Sequence, residues 1–201
     1  MTKTVLSLLC LGTLALTSLG CGQPLPADGP EAPALDENTP EGLAVVPQDE
    51  AVFSAQATID TTRAQQVVDA INNYRLAGNV KCPDGKTYPK VGKLTVNTSL
   101  TTAAQRHSAD MADNKYFSHT GRNGSTPATR AKAAGYAGGT FIGENIAAGN
   151  DTAAKTVAQW IGSSGHCVNL MNANYKSTGV GVAYNATAPY RWYWTQMFAN
   201  P

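Results

Sequence analysis

The sequence predicts an α+β domain in which an antiparallel sheet is covered by helices. Segments with helical spacing of apolar residues come first, and two strand-like segments that suit a hairpin come last. This order is typical of an antiparallel sheet packed by helices in layers. About 140 residues follow the N-terminal segments described below, which is enough for one domain with a hydrophobic core.

Four segments are predicted to be helices, because each combines a capping residue with apolar residues at helical spacing. In the first helix, one side is expected to carry Val67, Val68, Ile71, Tyr74 and Leu76. The predicted starts are Asp60 or Thr61, Thr98 or Ser99, Ser125-Thr126-Pro127 and Asp151-Thr152, and Gly78 and Gly135 end the first and third helices.

Three further segments are predicted to be strands. Residues 140–148 are apolar and glycine-rich, and residues 179–184 and 191–198 alternate in character. Residues 185–189 have a length that suits a hairpin connection between the last two strands. The aromatic residues of this hairpin either line a groove or belong to the core; they are Tyr190, Trp192, Tyr193, Trp194 and Phe198.

The N-terminus is typical of a bacterial export signal. Lys3 gives a positive start, and residues 5–19 are mostly apolar but too few to cross a membrane. We therefore expect residues 1–20 to be a signal peptide. Cys21 follows Leu-Gly as in a lipobox, so it is the expected lipidation site that would anchor the mature protein. Plain secretion is the alternative, because Ser18 stands where a lipobox usually has leucine.

Charge divides the remaining chain into two parts. Residues 22–62 contain eight acidic residues and no Lys, Arg or His. We therefore expect residues 21–60, which are also rich in proline, to be a disordered tether. From Arg63 onward, 14 basic residues stand against 6 acidic ones, a balance of +8. We expect residues 61–201 to be a basic folded domain that attracts anionic partners.

The cysteines predict one disulfide bond. Cys10 falls in the signal peptide and Cys21 at the lipidation site, which leaves Cys82 and Cys167 in the domain. An isolated pair in an oxidising compartment most simply forms a disulfide, and the long loop it closes would add about 4 kcal/mol of stability. A thiolate ligand or a nucleophile is the alternative role. Because Cys167 directly follows His166, the bridge would also hold the segment that carries this histidine.

Glu144 is the strongest functional lead in the sequence. It is the only glutamate in residues 61–201, and all three histidines of the chain lie within 37 residues of it. A buried carboxylate is costly without a partner. Neutral imidazole and carboxylate groups are the usual ligands of zinc-type ions. We therefore expect Glu144 and histidines of this group to bind a divalent metal such as zinc or magnesium, or to hold a proton.

The three histidines differ in their sequence context. His119 follows the second helix in a polar loop, and His166 begins a short helical turn that runs to Met171. His107 lies on the apolar stripe of the second helix, so we expect a hydrogen-bonded core residue rather than a ligand. That stripe consists of Leu100, Ala104, His107 and Met111.

Five motifs, in this order, resemble those of the CAP superfamily, which comprises cysteine-rich secretory proteins, antigen 5 and pathogenesis-related proteins and is also called the SCP domain. The resemblance runs from about Thr61 to Phe198. It implies an α-β-α sandwich whose central cleft carries two histidines and two glutamates, which bind a divalent metal in some members. The motifs are YFSHTG (116–121), IGENIAAG (142–149), WIGSSGHCVNLMN (160–172), GVGVAYN (179–185) and YWTQMF (193–198).

The resemblance assigns three of the four cleft residues. His119, Glu144 and His166 match the two histidines and one glutamate, and they are the candidate metal ligands. Ser163 stands where the family has its second glutamate, three residues after the tryptophan of the fourth helix. The candidate cleft residues are therefore His119, Glu144, His166, Ser163 and Asn145.

These residues favour a binding protein over an enzyme. Two histidines and one carboxylate resemble a catalytic zinc site, but the domain has no second glutamate to act as a general base. The resemblance implies association with sterols, lipids or other surfaces, and the basic domain favours an anionic envelope polymer or lipid headgroup. A metal-dependent hydrolase of envelope peptides or glycans is one alternative, and a purely structural lipoprotein is another. No nucleic-acid-binding motif accompanies the charge, and export argues against such a partner.

Overall fold

The fold is organised in layers around one sheet. The computed structural model describes residues 56–200, so the predicted signal peptide (1–20), the lipidation site Cys21 and the predicted tether up to residue 55 lie outside the described residues. In chain order the elements are β1 (Thr58–Ile59), α1 (Thr61–Ala77), β2 (Val80–Lys81), β3 (Thr87–Tyr88), β4 (Thr95–Val96), α2 (Thr98–Asp113), α3 (Pro127–Ala133), β5 (Ile142–Ala148), α4 (Ala153–Ile161), α5 (Ser164–Met171), β6 (Ser177–Tyr184) and β7 (Trp192–Ala199).

The three long strands form the middle of the sheet. β6 and β7 make the predicted antiparallel hairpin, and β5 pairs antiparallel with the other side of β7. The short strands β1 and β4 pair with the two ends of β6, antiparallel and parallel respectively. The strand order β1-β6-β7-β5 leaves β5 as an outer strand of the described sheet.

The helices begin close to the predicted capping residues. Asp60 caps α1, which ends before Gly78, while Thr126 and Thr152 cap α3 and α4. The cap of α2 is Asn97, one residue before the predicted start, and its side chain accepts from a backbone N–H of the first turn. None of the helices between residues 56 and 200 has the length and apolar character needed to cross a membrane.

One position of α1 differs from the prediction. Tyr74, which the spacing placed on the apolar side, is 40% exposed, whereas Arg75 is fully buried. Burial lowers the pKa of Arg75 to about 10, and hydrogen bonds compensate for its lost hydration. The guanidinium donates to four backbone carbonyls at 2.7–3.1 Å, those of Gly92, Leu170, Asn172 and Tyr175.

α2 lies against the middle of the sheet because two glycines of β6 leave room for its backbone. A Cβ atom on Gly179 would lie 2.1 Å from the backbone nitrogen of Thr101. A Cβ atom on Gly181 would lie 2.3 Å from the backbone nitrogen of Gln105. Real side chains do not approach a backbone so closely, so any other residue at these two positions would push the helix away from the sheet.

The opposite face of the sheet is covered by α1, α4 and α5. Trp194 of β7 and Trp160 of α4 are fully buried there, together with Val67 and Ile71 of α1 and Leu170 of α5. Because α2 and α3 cover the first face, the fold is the expected α-β-α sandwich.

The aromatic hairpin belongs mainly to the core. Tyr193, Trp194 and Phe198 are fully buried, and Trp192 is partly buried against the core. Tyr190 is 51% exposed. A groove lined by this hairpin is therefore limited to its end near Tyr190.

Cys82 and Cys167 form the predicted disulfide bond. It joins the segment after β2 to α5, and it packs with Val80 and Met171 in a small apolar cluster. The bridge therefore fixes the helix that carries His166.

The sheet also includes part of the segment that the sequence assigned to the tether. β1 pairs with β6, and Asp60 caps α1, so residues 58–60 contribute to the fold. Two residues of strand are too short to produce a periodic pattern, and their acidic surroundings resembled the tether.

Candidate functional site

Glu144 is buried in β5 with both carboxylate oxygens engaged. Its side chain is 2% exposed. Oε1 accepts a hydrogen bond from Nδ1 of His119 at 2.8 Å, and Oε2 accepts from Nη2 of Arg130 at 2.6 Å. The two contacts supply the partners that a buried carboxylate requires.

The strand register aims Glu144 at the layer formed by α2 and α3. Glu144 lies opposite Met197 of β7, and Met197 packs against Leu100 and Ala104 of α2. Because neighbouring residues of a strand point to opposite faces, Asn145 points to the layer formed by α1, α4 and α5. β5 therefore sends one polar side chain into each layer.

Arg130 of α3 is the partner that the sequence analysis missed. Its side chain is 9% exposed. Besides Glu144, it donates through Nη1 to the carbonyl of Ser125 at 2.9 Å and through Nη2 to the carbonyl of His119 at 3.0 Å. One guanidinium thus connects β5, α3 and the loop before α3. A buried carboxylate is costly alone, so Glu144 predicts a cationic partner. The sequence does not show which of the 14 basic residues from Arg63 onward is that partner.

His119 is the exposed member of this group, with 53% of its side chain accessible. An ionised carboxylate only accepts hydrogen bonds, so Nδ1 of His119 carries the proton shared with Glu144. In the neutral ring the lone pair then lies on Nε2. Glu144 therefore orients the imidazole in the way that carboxylates orient ligating histidines in other proteins.

His107 supports the loop that carries His119. It is 1% exposed, and its Nε2 donates to the carbonyl of Ser118 at 2.9 Å. Burial is the main cause that lowers the pKa of His107, so the ring is neutral near pH 7. The prediction of a hydrogen-bonded core histidine is confirmed.

His166 lies in the first turn of α5. Its Nδ1 is buried and has no hydrogen-bond partner within residues 56–200. Burial lowers the pKa of His166, and the neighbouring His119 lowers it further.

Asn145 fixes the position of α5. It is fully buried, its Nδ2 donates to the carbonyl of His166 at 3.1 Å, and its Oδ1 accepts from Nδ2 of Asn169 at 3.0 Å. We expected Asn145 among the cleft contacts. Its contacts make it a positioning residue for the helix of His166, and a contact between Asn145 and a ligand stays a prediction.

Ser163 is the N-cap residue of α5, at the position where the resemblance implies a second acid. Its side chain makes no capping hydrogen bond, while its carbonyl accepts from the backbone N–H of Cys167 at 2.8 Å. The cap therefore relies on backbone contacts and on the disulfide bond beside them.

The three predicted metal ligands are not assembled as a metal site in the part of the chain that the structure describes. Among residues 56–200, no three His, Cys, Asp or Glu side chains form a group that could hold a metal ion. Glu144 is engaged on both oxygens, and the guanidinium of Arg130 brings positive charge to it. Zinc or magnesium binding by His119, Glu144 and His166 stays a prediction.

Comparison with known proteins places these features in a family. The model of the cysteine-rich secretory protein family, CAP, matches residues 68–198. The uncharacterized protein YkwD of Bacillus subtilis (strain 168) is 29% identical over 169 residues, which cover 84% of this chain and 59% of YkwD. The uncharacterized membrane protein YlbC of the same organism is 31% identical over 140 residues, which cover 70% of this chain and 35% of YlbC. The chain thus spans less than two thirds of the length of either relative.

Solved structures share the fold. An extracellular protein containing a SCP domain from Bacillus anthracis is 28% identical with a TM-score of 0.58, and the match covers 71% of this chain and 41% of that one. An outer surface protein from Borrelia burgdorferi is 18% identical with a TM-score of 0.57, over 72% of this chain and 98% of that one, and this likeness shows the fold alone. The family match over residues 68–198 and the α-β-α sandwich agree: the chain belongs to the CAP family of cysteine-rich secretory proteins.

Proposed function

We propose that this protein is exported and binds a component of the cell envelope in the cleft between His119 and His166. The observation that carries the proposal is the buried Nδ1 of His166, which has no partner within residues 56–200. The neighbouring His119, whose charge lowers the pKa of His166, is exposed, and Glu144 orients its ring. Buried polar atoms are nearly always hydrogen-bonded, and a ligand in the cleft would supply the missing partner.

Several observations support export. The N-terminal sequence is typical of a signal peptide, and the bond between Cys82 and Cys167 suits an oxidising compartment. The similar protein of Bacillus anthracis is described as extracellular, and YlbC as a membrane protein. We further propose that lipid on Cys21 anchors the protein and that the acidic segment 21–60 is its tether to the membrane.

The charge of the domain favours an anionic ligand. From Arg63 onward, basic residues exceed acidic ones by eight. Such a surface raises the local concentration of anionic polymers and lipid headgroups. The lone pair on Nε2 of a neutral His119 would in addition accept a hydrogen bond from a ligand hydroxyl. An anionic envelope polymer with hydroxyl groups combines both properties.

The engagement of Glu144 supports binding rather than hydrolysis. A general base must be able to take a proton from water, whereas both oxygens of Glu144 already accept hydrogen bonds. No other glutamate is present in residues 61–201. In this proposal Glu144 orients His119 and performs no proton transfer.

Co-sedimentation of the full chain with isolated bacterial envelopes tests the proposal. We expect the His119→Ala/His166→Ala variant to bind about tenfold more weakly, because two hydrogen-bonding side chains are lost from the cleft. Lys93→Ala removes one exposed charge that takes no part in the contacts of His119, Glu144 or His166, and it is the control for general electrostatic attraction.

Equal sedimentation of the double histidine variant and the parent protein would contradict a role for the cleft. Loss of binding on addition of a chelator would instead indicate that a bound metal ion is needed for binding. Release of soluble envelope fragments that stops in Glu144→Gln would favour the hydrolase.

A further inference from the structure

A cavity of about 420 Å³ lies between α2, α3 and the loop that precedes α3. Its apolar wall includes Ala103 of α2 and Ala133 of α3. This volume is in the range of sites that hold small organic molecules. His119, Glu144 and His166 do not line it. Arg130 both lines this cavity and pairs with Glu144, so the cavity lies beside the proposed cleft and shares that residue with it.

Positive charge is concentrated around this cavity. Arg106, Arg122 and Arg130 line it, and Asp110 is the acidic residue that faces them. The carboxylate of Asp110 is itself engaged by the hydroxyl of Tyr116 and by the side chain of Asn114. Arg130 is in addition paired with Glu144, so three guanidinium groups stand against two carboxylates and positive charge remains in excess.

Two buried nitrogen atoms of lining residues have no hydrogen-bond partner within residues 56–200. They are Nε of Arg130, which is a donor, and Nδ1 of His107, which is an acceptor because Nε2 of the neutral ring carries the proton. The side chain of Arg130 is more than nine-tenths buried, and His107 is 1% exposed. A buried guanidinium N–H without an acceptor is costly, so an acceptor atom in the cavity would stabilise it.

We propose that this cavity binds a small organic anion, one with a phosphate or carboxylate head group on a short apolar body. Guanidinium groups recognise both head groups through paired, charge-assisted hydrogen bonds. Arg106, Arg122 and Nε of Arg130 supply the donors, and Ala103 and Ala133 contact the apolar body. Arg130 holds Glu144 through Nη2, so a ligand on Nε leaves that ion pair in place.

Nuclear magnetic resonance titration of the full chain with phenyl phosphate tests the proposal, and phenol serves as the uncharged control with the same ring. We expect saturable changes at the amides of α2, α3 and the loop between them with phenyl phosphate. Phenol should bind at least about tenfold more weakly, because charge-assisted hydrogen bonds are lost.

Variants locate the site. Arg106→Ala/Arg122→Ala removes two exposed side chains and should raise the dissociation constant of phenyl phosphate by about tenfold or more. Lys93→Ala removes an exposed positive charge that does not line the cavity, and it should leave the dissociation constant of phenyl phosphate unchanged. Equal binding of phenol, an unchanged dissociation constant in the double arginine variant, or the absence of saturable changes would each overturn the proposal.

Discussion

Glu144 and Asn145 are consecutive residues of β5 whose side chains enter opposite layers of the sandwich. Glu144 binds the loop of His119 and the guanidinium of Arg130, whereas Asn145 binds the backbone of His166 at the start of α5. The alternation of side chains along a strand produces this division. An outer strand with two adjacent polar residues thus sets the relative position of two imidazoles from different layers.

The ion pair between Arg130 and Glu144 should be strongly coupled. Arg130→Ala or Glu144→Ala alone leaves an uncompensated buried charge and should cost about 3–5 kcal/mol of unfolding free energy. The double variant should cost at least about 1 kcal/mol less than the sum of the two. Urea unfolding of the four proteins measures this coupling.

The exposed pair of Lys155 and Asp151 provides the control cycle. Both side chains are more than half exposed, so their coupling should not exceed experimental error. Additive losses for Arg130 and Glu144 would contradict the buried ion pair.

Arg75 should be more important for stability than its exposed neighbour. Arg75→Met keeps the length of the side chain but leaves four carbonyls without their donor, so the free energy of unfolding should fall by about 3 kcal/mol or more. Tyr74→Ala should cost less than about 1 kcal/mol, because this side chain is 40% exposed. Thermal or urea unfolding checks both values. A larger loss for Tyr74→Ala than for Arg75→Met would contradict this description and favour the sequence prediction that Tyr74 lies on the apolar side of α1.

The close approach of α2 to the sheet predicts a steep cost for a methyl group on β6. Gly181→Ala places Cβ 2.3 Å from backbone atoms of α2, so it should destabilise the fold by about 3 kcal/mol or more. Gly92→Ala is the matched control, because its Cβ would meet no atom within 4 Å. Similar unfolding midpoints for the two variants would contradict the packing described for α2.

Stability should decrease on mild acidification because two histidines are buried in their neutral form. Burial lowers the pKa of His107 and of His166 below 6.5, the value expected in the unfolded chain. Below pH 6.5 the unfolded state therefore takes up protons that the folded state excludes, and stability falls until the folded pKa values are reached. The slope is at most about 1.4 kcal/mol per pH unit for each histidine.

Urea midpoints at a series of pH values measure this slope. His166→Gln should reduce it, because one of the two proton-binding groups is gone, whereas Lys93→Ala should not change it. A slope that is identical in His166→Gln would exclude His166 as a contributor.

The sequence predicted most of the fold because its signals are local. Asp60, Gly78, Thr126 and Thr152 act at helix ends where capping chemistry is visible in a few residues. The contacts of Arg75 and Arg130 are different, since their partners lie outside the helices that carry them and are mostly backbone carbonyls. No periodic pattern reports which of many basic residues a fold will bury.

The candidate site was predicted as a set of residues but not as a set of contacts. The motifs identified His119, Glu144 and His166, yet the role of Asn145 depends on which face of β5 it occupies. That face is fixed by the register between Glu144 and Met197 of β7, which the sequence does not specify.

The most direct test of the account is the tautomer of His119. Nitrogen-15 resonances of the histidine rings, recorded at a pH where the rings are neutral, distinguish Nδ1–H from Nε2–H. The account predicts Nδ1–H for His119, because Nδ1 donates to Glu144, and Nε2–H for His107, because Nε2 donates to Ser118. An Nε2–H tautomer for His119 would contradict the claim that Glu144 orients this ring toward a ligand.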